Sequence, residues 1–563
     1  MHTENLYRQI LKMIAGKQNE ALRALDIEKP QKFNWVTEVF ENINVKDHPN
    51  AQALVWTDAD QTKEISFKDL SVQCNRFLNF LRKHGLHPGN VIFSQMPLLP
   101  ENWLTVLVSI KGGFRLIPAA TVLSVHDIVY RFDKLMPAAL IADLDNTEKI
   151  DEAEVLSGKA VSLKIIVNGT REGWLSFDKI YEEESIADAA DTNADDPLFL
   201  FFTSGTTGMP KVVTHTHLSY PFGHLTTASW IGIKQGDVHY NISQPGWAKF
   251  AWSSFFAPWS VGATVFAFYQ TGGFNAGEQL AMLEKYKITT FCAPPTALRM
   301  LILEDLKSYA FNLRECVAAG EPLNPEIIEA WKKGTGLTLR DGYGQTESTC
   351  MVANLPDGPV KYGSMGKATF MYDIVIADEN GNELPVNEEG NIAVKTNTGK
   401  TNGLFSDYFG EPEKKKDVFK FSLYYTGDKA YKDKDGFIWF VGRDDDVIKT
   451  SDYRVGPFEV ESVLLAHESV VESAVVGTPH PLRGFIVKAF IVLNSGHAPD
   501  QTKAHEIFTF AKKNLASYKI PRIIEFVTEL PKTISGKIRR IELRANEVQK
   551  NVEHQKGENE YYL

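Results

Sequence analysis

The sequence predicts an α/β protein, with a large N-terminal domain of helix-flanked β-sheets followed by a small α+β C-terminal domain. Helical and strand-like patterns alternate over residues 60–400, as in the amphipathic segment 67–84 and the apolar run 91–94 that follows it. Such alternation is typical of sheets covered by helices. At 563 residues the chain is also too long for one ordinary core, so more than one compact unit is expected.

A change of pattern near residue 437 marks the second domain. The strand-like run 437–441 leads into a charged turn, beyond which segments 459–467 and 507–515 predict helices and 470–477 and 487–493 predict strands. We place the boundary at Asp445, so that the N-terminal domain covers residues 1–444 and the C-terminal domain residues 445–563. The tail 549–563 is rich in charged residues and is expected to fray.

The composition limits the partners of the chain. A net charge of −11 argues against nucleic acid or an anionic membrane as the main partner. The best apolar run, 103–110, is too short to span a membrane, so no membrane insertion is expected, and charged residues interrupt the N-terminus where a signal peptide would be apolar. The four cysteines are scattered without a CxxC pair, which supports neither disulfides nor structural zinc and favours a cytoplasmic setting. Assembly into a homo-oligomer is left open.

The most informative segment is the polar loop Thr203-Ser204-Gly205-Thr206-Thr207-Gly208-Met209-Pro210-Lys211, which follows the apolar strand-like run 198–202. Glycines let backbone N–H groups turn inward, hydroxyls add donors and the lysine adds positive charge, so the loop suits phosphate. It is not a Walker A loop, because only two residues separate Gly205 from Gly208. From these residues alone, a solvated surface loop remains the alternative.

Five further motifs follow this loop along the chain. They are Gly320-Glu321-Pro322-Leu323, Asp341-Gly342-Tyr343-Gly344-Gln345-Thr346-Glu347, Tyr425-Thr426-Gly427-Asp428, Gly442-Arg443-Asp444-Asp445-Asp446-Val447-Ile448-Lys449 and Pro531-Lys532-Thr533-Ile534-Ser535-Gly536-Lys537. Together with the polar loop they resemble, motif by motif and in the same order, the AMP-forming acyl-CoA synthetases. That superfamily also contains luciferases and the adenylation domains of peptide synthetases. The N-terminal third of the chain matches only loosely.

The resemblance implies the adenylate-forming enzyme fold, with a mobile C-terminal domain, and a reaction in two steps. ATP would activate a carboxylic acid to an acyl-AMP with release of pyrophosphate, and coenzyme A would then take the acyl group and release AMP. Two anions must meet in the first step, so cations and N–H donors are expected around the phosphoryl group. The implied cofactors are ATP, Mg²⁺ and coenzyme A.

The resemblance also assigns roles to individual residues. Lys537 would be the catalytic lysine beside the α-phosphate, and Glu347 would bind Mg²⁺. Asp428 would accept hydrogen bonds from both ribose hydroxyls, while Tyr343 would stack on the adenine. Without the resemblance, Lys537 would be an ordinary solvated charge and Asp428 a turn residue. The full nucleotide-binding set is Thr203, Ser204, Gly205, Thr206, Thr207, Gly208, Lys211, Gly320, Glu321, Pro322, Asp341, Gly342, Tyr343, Gln345, Thr346, Asp428, Arg443 and Arg454.

For the second step, the resemblance implies that the C-terminal domain turns about the hinge Asp445 and presents a different face. Members that use coenzyme A carry Ser-Gly-Tyr/His-Arg on that face, whereas this chain has Ser451, Asp452, Tyr453 and Arg454. Aspartate adds bulk and negative charge where glycine would let pantetheine pass close to the backbone. In favour of coenzyme A, the pair Arg483-Gly484 is similar to one that meets its phosphate in medium-chain members.

Two alternatives to a coenzyme A ligase follow from these residues. The aspartate at position 452 keeps open an adenylating enzyme that loads a carrier protein. A catalytically inactive nucleotide-binding protein is the other, but an inactive copy has no reason to keep Lys537, Glu347 and Asp428 together.

The acyl pocket is expected around Gly344. In acetate-specific members this position carries a tryptophan that floors the pocket, so glycine is expected to open it to longer acids. Trp247, Lys249, Trp252 and Cys292 are the expected walls, although core packing explains Trp252 equally well. The resemblance is to the medium-chain subgroup, and we expect straight or branched acids of about four to ten carbons.

Overall fold

The computed structural model describes residues 3–58, 60–203, 210–450, 453–481, 483–533 and 537–563. Within this part of the chain the α-helices are α1 (Thr3–Ala15), α2 (Asn19–Ala24), α3 (Phe67–Lys83), α4 (Glu101–Gly112), α5 (Val125–Lys134), α6 (Leu144–Ser157), α7 (Ser219–Gly223), α8 (Leu225–Ile231), α9 (Ala248–Ala251), α10 (Ala257–Ser260), α11 (Ala276–Lys285), α12 (Pro295–Leu301), α13 (Pro325–Thr335), α14 (Pro412–Val418), α15 (Pro457–Leu465), α16 (Gln501–Asn514) and α17 (Arg540–Val552). Shorter turns of π-helix cover Val36–Val45 and Trp252–Phe256, and 3₁₀ turns cover Phe177–Glu182 and Leu306–Ser308.

The strands of the described residues alternate with these helices. They are β1 (Gln52–Thr57), β2 (Thr62–Ser66), β3 (Val91–Gln95), β4 (Arg115–Ala119), β5 (Ala139–Ala142), β6 (Leu163–Ile166), β7 (Leu175–Ser176), β8 (Pro197–Thr203), β9 (Lys211–Thr216), β10 (Val238–Asn241), β11 (Thr264–Phe268), β12 (Thr290–Ala293), β13 (Glu315–Ala319), β14 (Leu339–Tyr343), β15 (Val352–Ala353), β16 (Lys367–Ala368), β17 (Ile374–Ala377), β18 (Gly390–Lys395), β19 (Asp407–Tyr408), β20 (Phe419–Lys420), β21 (Leu423–Lys432), β22 (Ile438–Arg443), β23 (Ile448–Thr450), β24 (Tyr453–Val455), β25 (Val470–His480), β26 (Gly484–Leu493), β27 (Ile523–Phe526) and β28 (Glu560–Tyr562).

Helix α3 shows how local sequence sets these elements. Ser66 caps its first turn by accepting a hydrogen bond from the Asp69 backbone N–H at 3.1 Å. Apolar residues then recur at helical spacing, and Phe67, Leu70 and Phe77 are fully buried. The predicted segment 67–84 therefore forms the expected amphipathic helix.

Two large mixed sheets build the N-terminal part of the chain. One has the strand order β16-β15-β14-β13-β12-β10-β11-β1-β2 and is parallel from β14 to β1. The other has the order β19-β9-β8-β4-β3-β5-β6-β7 and is parallel from β8 to β7. Large aromatic side chains such as Trp35, Trp103, Trp230 and Trp259 are fully buried in this part of the fold.

Two smaller sheets complete the fold. Strands β17, β18, β21, β20 and β22 form an antiparallel sheet. The C-terminal sheet has the order β24-β23-β26-β27-β28, with β25 paired to β26, and it packs against α15, α16 and α17. The prediction of an α/β fold with a large N-terminal and a small C-terminal domain is confirmed. The boundary at Asp445, between β22 and β23, stays a prediction.

One expectation was wrong: the charged tail does not fray. Residues 549–552 of the tail form the end of α17, and β28, near the end of the tail, pairs with β27 as an antiparallel strand. The charges face partners inside the domain, because the Lys488 ammonium lies 2.6 Å from a carboxylate oxygen of Glu560. Among the helices of the described residues, none combines the length and apolar character needed to cross a membrane.

Candidate active site

The carboxyl ends of the parallel strands of both large sheets meet at one crevice. The segment 245–252 lies between them: the backbone at Gly246 packs against Ala119 and Ala120 at the end of β4, and Lys249 donates a hydrogen bond to the Ala319 carbonyl at the end of β13. The crevice outside the carboxyl ends of parallel strands is the usual ligand site of open α/β sheets. The motifs singled out in the sequence converge there.

Tyr343, Gln345 and Asp428 form a hydrogen-bonded cluster in the crevice. The Tyr343 hydroxyl donates to Asp428 Oδ2 at 2.5 Å, and Gln345 Nε2 donates to the same oxygen at 2.6 Å. Gln345 Nε2 also donates to the Thr426 carbonyl at 2.9 Å. Tyr424, which the sequence analysis did not select, donates its hydroxyl to Gln345 Oε1 at 3.0 Å. Motifs far apart in the sequence therefore share one carboxylate.

Asp428 is a buried carboxyl surrounded by positive charge. Burial raises its pKa, while Arg443, the hydrogen bonds from Tyr343 and Gln345, and the charge of Lys537 act in the opposite direction. Asp428 on β21 lies opposite Arg443 on β22 in the register of these two antiparallel strands. The influence of Lys537 on Asp428 shows that the C-terminal domain holds this lysine close to the crevice.

Glu347 lies beside a tyrosine that the sequence analysis missed. The Tyr408 hydroxyl donates to Glu347 Oε1 at 3.0 Å, and the Lys211 ammonium lies 4.9 Å from the centre of the Tyr408 ring. Lys211 pairs with Thr203 across β8 and β9, so the two described ends of the predicted phosphate loop lie side by side. Within the described residues, Glu347 Oε2 accepts no hydrogen bond, which leaves a carboxylate oxygen beside the phosphate loop. That donor suits a hard divalent cation.

A buried histidine supports the loop that carries Thr346. His215 Nε2 donates to the Thr346 carbonyl at 2.7 Å, and the Ser219 hydroxyl lies 3.0 Å from His215 Nδ1. Burial lowers the pKa of His215 to about 3, so this ring is neutral at physiological pH. The residues Thr-His-Thr-His at 214–217 gave no sequence signal for this role.

Glu321 and Asp341 stand on the opposite side of the crevice. The Thr296 hydroxyl approaches both carboxylate oxygens of Glu321, at 2.8 and 2.7 Å, and the Arg299 guanidinium lies 3.6 Å away. Asp341 is buried in β14, and its burial raises its pKa to about 8 although backbone N–H groups of Gly342 and Leu323 bond to it. Asp341 is therefore largely protonated at neutral pH.

Lys249 is an ammonium held inside the crevice. Its Nζ donates to the Ala319 carbonyl at 2.9 Å. Burial lowers its pKa, the nearby Cys292 and Glu321 oppose that shift, and Lys537 adds to it. Since the charge of Lys537 acts on both Lys249 and Asp428, both sides of the crevice lie near this lysine, which the sequence predicts to be catalytic.

The predicted acyl wall contains less open space beside Gly344 than the sequence suggested. A Cβ placed on Gly344 would come within 3.0 Å of both the Thr349 carbonyl oxygen and the Trp252 ring. Trp252 is fixed there because its Nε1 donates to the Tyr220 hydroxyl at 2.8 Å. The position that glycine was expected to open is thus filled from the other side by an indole.

Trp247 borders a separate recess between the 245–251 segment and the second large sheet. Its cavity volume is about 20 Å³, and aromatic and aliphatic groups such as Phe199, Phe201 and Phe250 line it together with Ser94 and Thr105. Cys292, by contrast, is fully buried at the end of β12 on the Lys249 side.

The C-terminal residues of the predicted site occupy two different faces. The Lys537 backbone N–H donates to Thr533 Oγ1 at 3.1 Å in a short hairpin, and the neighbouring Lys532 pairs with Glu472 near the start of β25. Arg483 lies in the turn after the other end of β25. At about 3.3 Å per residue, the path from Glu472 to His480 is about 26 Å, so Lys532 and Arg483 lie near opposite ends of β25.

Tyr453 belongs to the Arg483 face. Thr450 pairs with both Tyr453 and Gly484, which brings Tyr453 near the residue that follows Arg483. Arg454 is exposed on β24, where its charge acts on Glu389. Ser204, Gly205, Thr206, Thr207 and Gly208 of the phosphate loop, and Ser451 and Asp452 of the predicted coenzyme A segment, lie outside the described residues.

Comparisons with known proteins place this geometry in a family. The AMP-binding enzyme family matches residues 42–409, and the AMP-binding enzyme C-terminal domain matches residues 459–537. The chain is 49% identical over 535 residues to 4-hydroxybutyrate–CoA ligase 1 of Metallosphaera sedula, covering 94% of this chain and 93% of that protein. It is 41% identical to the mitochondrial acyl-coenzyme A synthetase ACSM3 of Mus musculus, covering 92% of each.

A solved structure gives the same result. The anthranilate CoA ligase AuaEII in complex with anthranoyl-AMP superposes with a TM-score of 0.85 at 30% identity, covering 93% of this chain and 99% of that one. The chain belongs to the AMP-binding enzyme family. Within it, the chain is an AMP-forming acyl-CoA synthetase, which activates a carboxylic acid with ATP and transfers the acyl group to coenzyme A.

Proposed function

We propose that this synthetase acts on straight or branched carboxylic acids of about four to ten carbons, with Mg²⁺ bound at Glu347. Aromatic and aliphatic side chains line most of the recess beside Trp247, and such a lining suits the hydrocarbon part of these acids. The Metallosphaera relative is named for a four-carbon hydroxy acid, which falls in this range. Four free, buried cysteines support a cytoplasmic setting.

The observation that carries the mechanism is the position of Lys537. Its charge acts on both Lys249 and Asp428, which supports a place for Lys537 near the region where the acid and the α-phosphate would meet. A carboxylate oxygen of the acid attacks the α-phosphorus, the new P–O bond forms, and the bond to the β-phosphate oxygen breaks with pyrophosphate as leaving group. Lys537 stabilises the charge that gathers on the phosphoryl oxygens.

The other residues of the crevice bind and orient. Asp428, already accepting two hydrogen bonds, presents its carboxylate to the ribose hydroxyls, and Tyr343 lies beside it for the adenine. Glu347 would hold Mg²⁺ next to the predicted phosphate loop, where the cation would neutralise phosphate charge. Gln345 fixes the orientation of both the Asp428 carboxylate and the 426–428 segment.

In the second step the thiol sulfur of coenzyme A attacks the acyl carbonyl carbon. The thioester C–S bond forms, the C–O bond to AMP breaks, and the thiol proton is lost. Lys532, near Lys537, contacts the start of β25, and Arg483 follows its other end. A turn of the C-terminal domain would therefore bring Tyr453 and Arg483 to the crevice. We place the hinge of that rotation at Asp445.

The test is a half-reaction analysis of purified enzyme. With ATP, Mg²⁺ and acids of two to twelve carbons, 4-hydroxybutyrate included, AMP release should require coenzyme A and should peak at a mid-length acid. Pyrophosphate exchange with no acyl-CoA product would point to a carrier protein instead. Activity that is unchanged when Mg²⁺ is replaced by chelator would contradict the metal assignment.

A matched pair of variants tests the role of Lys537. Lys537→Ala should slow adenylate formation by about 100-fold or more, the usual cost of removing a group that stabilises transition-state charge. It should leave thioester formation from supplied acyl-AMP almost unchanged. Lys512→Ala, which removes an exposed lysine of helix α16, is the control and should affect neither step. Equal loss of both steps in Lys537→Ala would reject the assignment.

A further inference from the structure

Helix α17 carries the catalytic hairpin. Within residues 531–539, the Thr533 backbone N–H donates to the Lys537 carbonyl at 2.7 Å, and the Arg539 N–H donates to the Pro531 carbonyl at 2.8 Å. The helix begins at Arg540, directly after this hairpin. The backbone of Lys537 is therefore fixed to the first turn of α17, and whatever orients α17 also aims Lys537.

The first two turns of α17 are tied to the predicted hinge by arginine side chains. Arg544 forms an ion pair with Asp446 and lies 4.0 Å from Asp445. The Arg540 guanidinium makes three contacts with the Glu461 carboxylate, at 2.7 to 3.0 Å. The same guanidinium lies 3.9 Å from the Asp446 carboxylate. Two carboxylates next to β22 thus hold the helix that carries the lysine.

The same carboxylates reach back to the nucleotide side. Asp445 lies 3.4 Å from the Arg443 guanidinium. Burial tends to lower the pKa of Arg443, but Asp428, Asp445 and Asp446 outweigh it and raise that pKa. Charges of alternating sign therefore follow one another from Asp428 through Arg443 and Asp445 to Arg544, and this series crosses the predicted hinge.

The far end of α17 is also fixed, which makes the helix a rigid arm. Glu547 of α17 lies 2.8 Å from the ammonium of the buried Lys488, which also contacts Glu525 and Glu560 at 2.6 Å. The three carboxylates could together hold a metal ion, but the lysine ammonium lies among them. An arm held at both ends transmits the orientation set at the hinge.

We propose that Arg544 is a positioning residue for adenylate formation: its contact with Asp445 holds the C-terminal domain in the orientation that aims Lys537 at the crevice. The proposal rests on the proposed two-step function, because it concerns the balance between the two orientations. Asp446 follows the hinge and moves with α17, so its ion pair survives the rotation. The contact between Arg544 and Asp445 is the one that a rotation at Asp445 changes.

The test measures each half-reaction separately in single-turnover experiments. Arg544→Gln should slow acyl-AMP formation about five- to tenfold, the scale expected of a partly exposed charge contact, and should leave thioester formation from supplied acyl-AMP equal or faster. Arg544→Lys, which keeps the charge, should recover part of the loss. Arg82→Gln is the matched control, because Arg82 lies in the last turn of helix α3, outside the crevice and outside the C-terminal domain.

A second variant guards against a simple folding defect. Asp445→Asn leaves the ion pair between Arg544 and Asp446 intact and weakens the contacts of Asp445 with Arg544 and with Arg443. It should reproduce the selective loss of the first step with an unchanged melting temperature. Equal loss of both steps, no loss, or the same loss in Arg82→Gln would overturn the proposal. Failure of the wild-type enzyme to make acyl-AMP would instead reject the proposed function, which keeps the two failures distinct.

Discussion

Replacing Gly344 by alanine tests the packing beneath the Gln345–Glu347 motif. The added methyl group would come within 3.0 Å of the Thr349 carbonyl oxygen and the Trp252 ring. Neither neighbour moves freely: the Thr349 N–H donates to the Tyr372 hydroxyl at 3.1 Å, and Trp252 Nε1 donates to the Tyr220 hydroxyl at 2.8 Å. The backbone must therefore shift.

The size of the effect follows from overpacking. Inserting a methyl group into a well-packed interior costs about 1–3 kcal/mol, and the Thr349 contact is with backbone, which no rotamer change relieves. A shift of the chain at 344 also displaces Gln345 from Asp428, where their hydrogen bond is 2.6 Å long. We expect a lower melting temperature and a raised KM for ATP.

The assay is thermal unfolding together with initial rates of acyl-CoA formation. Gly273→Ala is the control, since a Cβ there meets no atom within 4 Å and should change stability by less than about 0.5 kcal/mol. Trp252→Phe removes one of the two contacts, so it should rescue Gly344→Ala in part in a double-mutant cycle. A Gly344→Ala enzyme as stable and active as the Gly273 control would refute this account.

Three further predictions concern pH and the tail. Burial lowers the pKa of His215 and of His239 to about 3, so between about pH 6.5 and pH 3 only the unfolded chain takes up a proton at each ring. Each histidine should therefore lower the free energy of unfolding by about 2 kcal/mol at pH 5. The melting temperature should fall as the pH is lowered through this range, and these two histidines should cause no change above pH 7. Burial raises the pKa of Asp341 to about 8, so its contribution to stability declines as pH rises from about 4 to 8; Asp341→Asn should flatten the profile in that window, and an unchanged slope would contradict it. Glu560→Gln weakens one contact of the buried Lys488 and should lower the unfolding temperature of the C-terminal domain, whereas a tail without a structural role would leave it unchanged.

Much of the fold follows from patterns that act over short distances. The cap at Ser66 and the apolar spacing after it define α3 without knowledge of the rest of the chain. The ligand motifs were also visible, because their glycine, hydroxyl and charged residues follow strands. What sequence cannot give is the partner: the bond between Tyr343 and Asp428, 85 positions apart, exists only after two sheets have packed together.

The tail and the Gly344 wall show why local composition misleads in such cases. A charged tail is expected to fray when its charges would otherwise be buried in an apolar core. Here the buried ammonium of Lys488 offers the tail an ion pair instead, with Glu547 and Glu560 as its partners. Likewise, a glycine predicts open space only if nothing else fills it, and here an indole from the 252 position does. In both places the residue that decides the outcome is distant in sequence: Lys488 for the tail and Trp252 for Gly344. A substitution of Lys488 should therefore change the order of the tail, and a substitution of Trp252 should change the space beside Gly344.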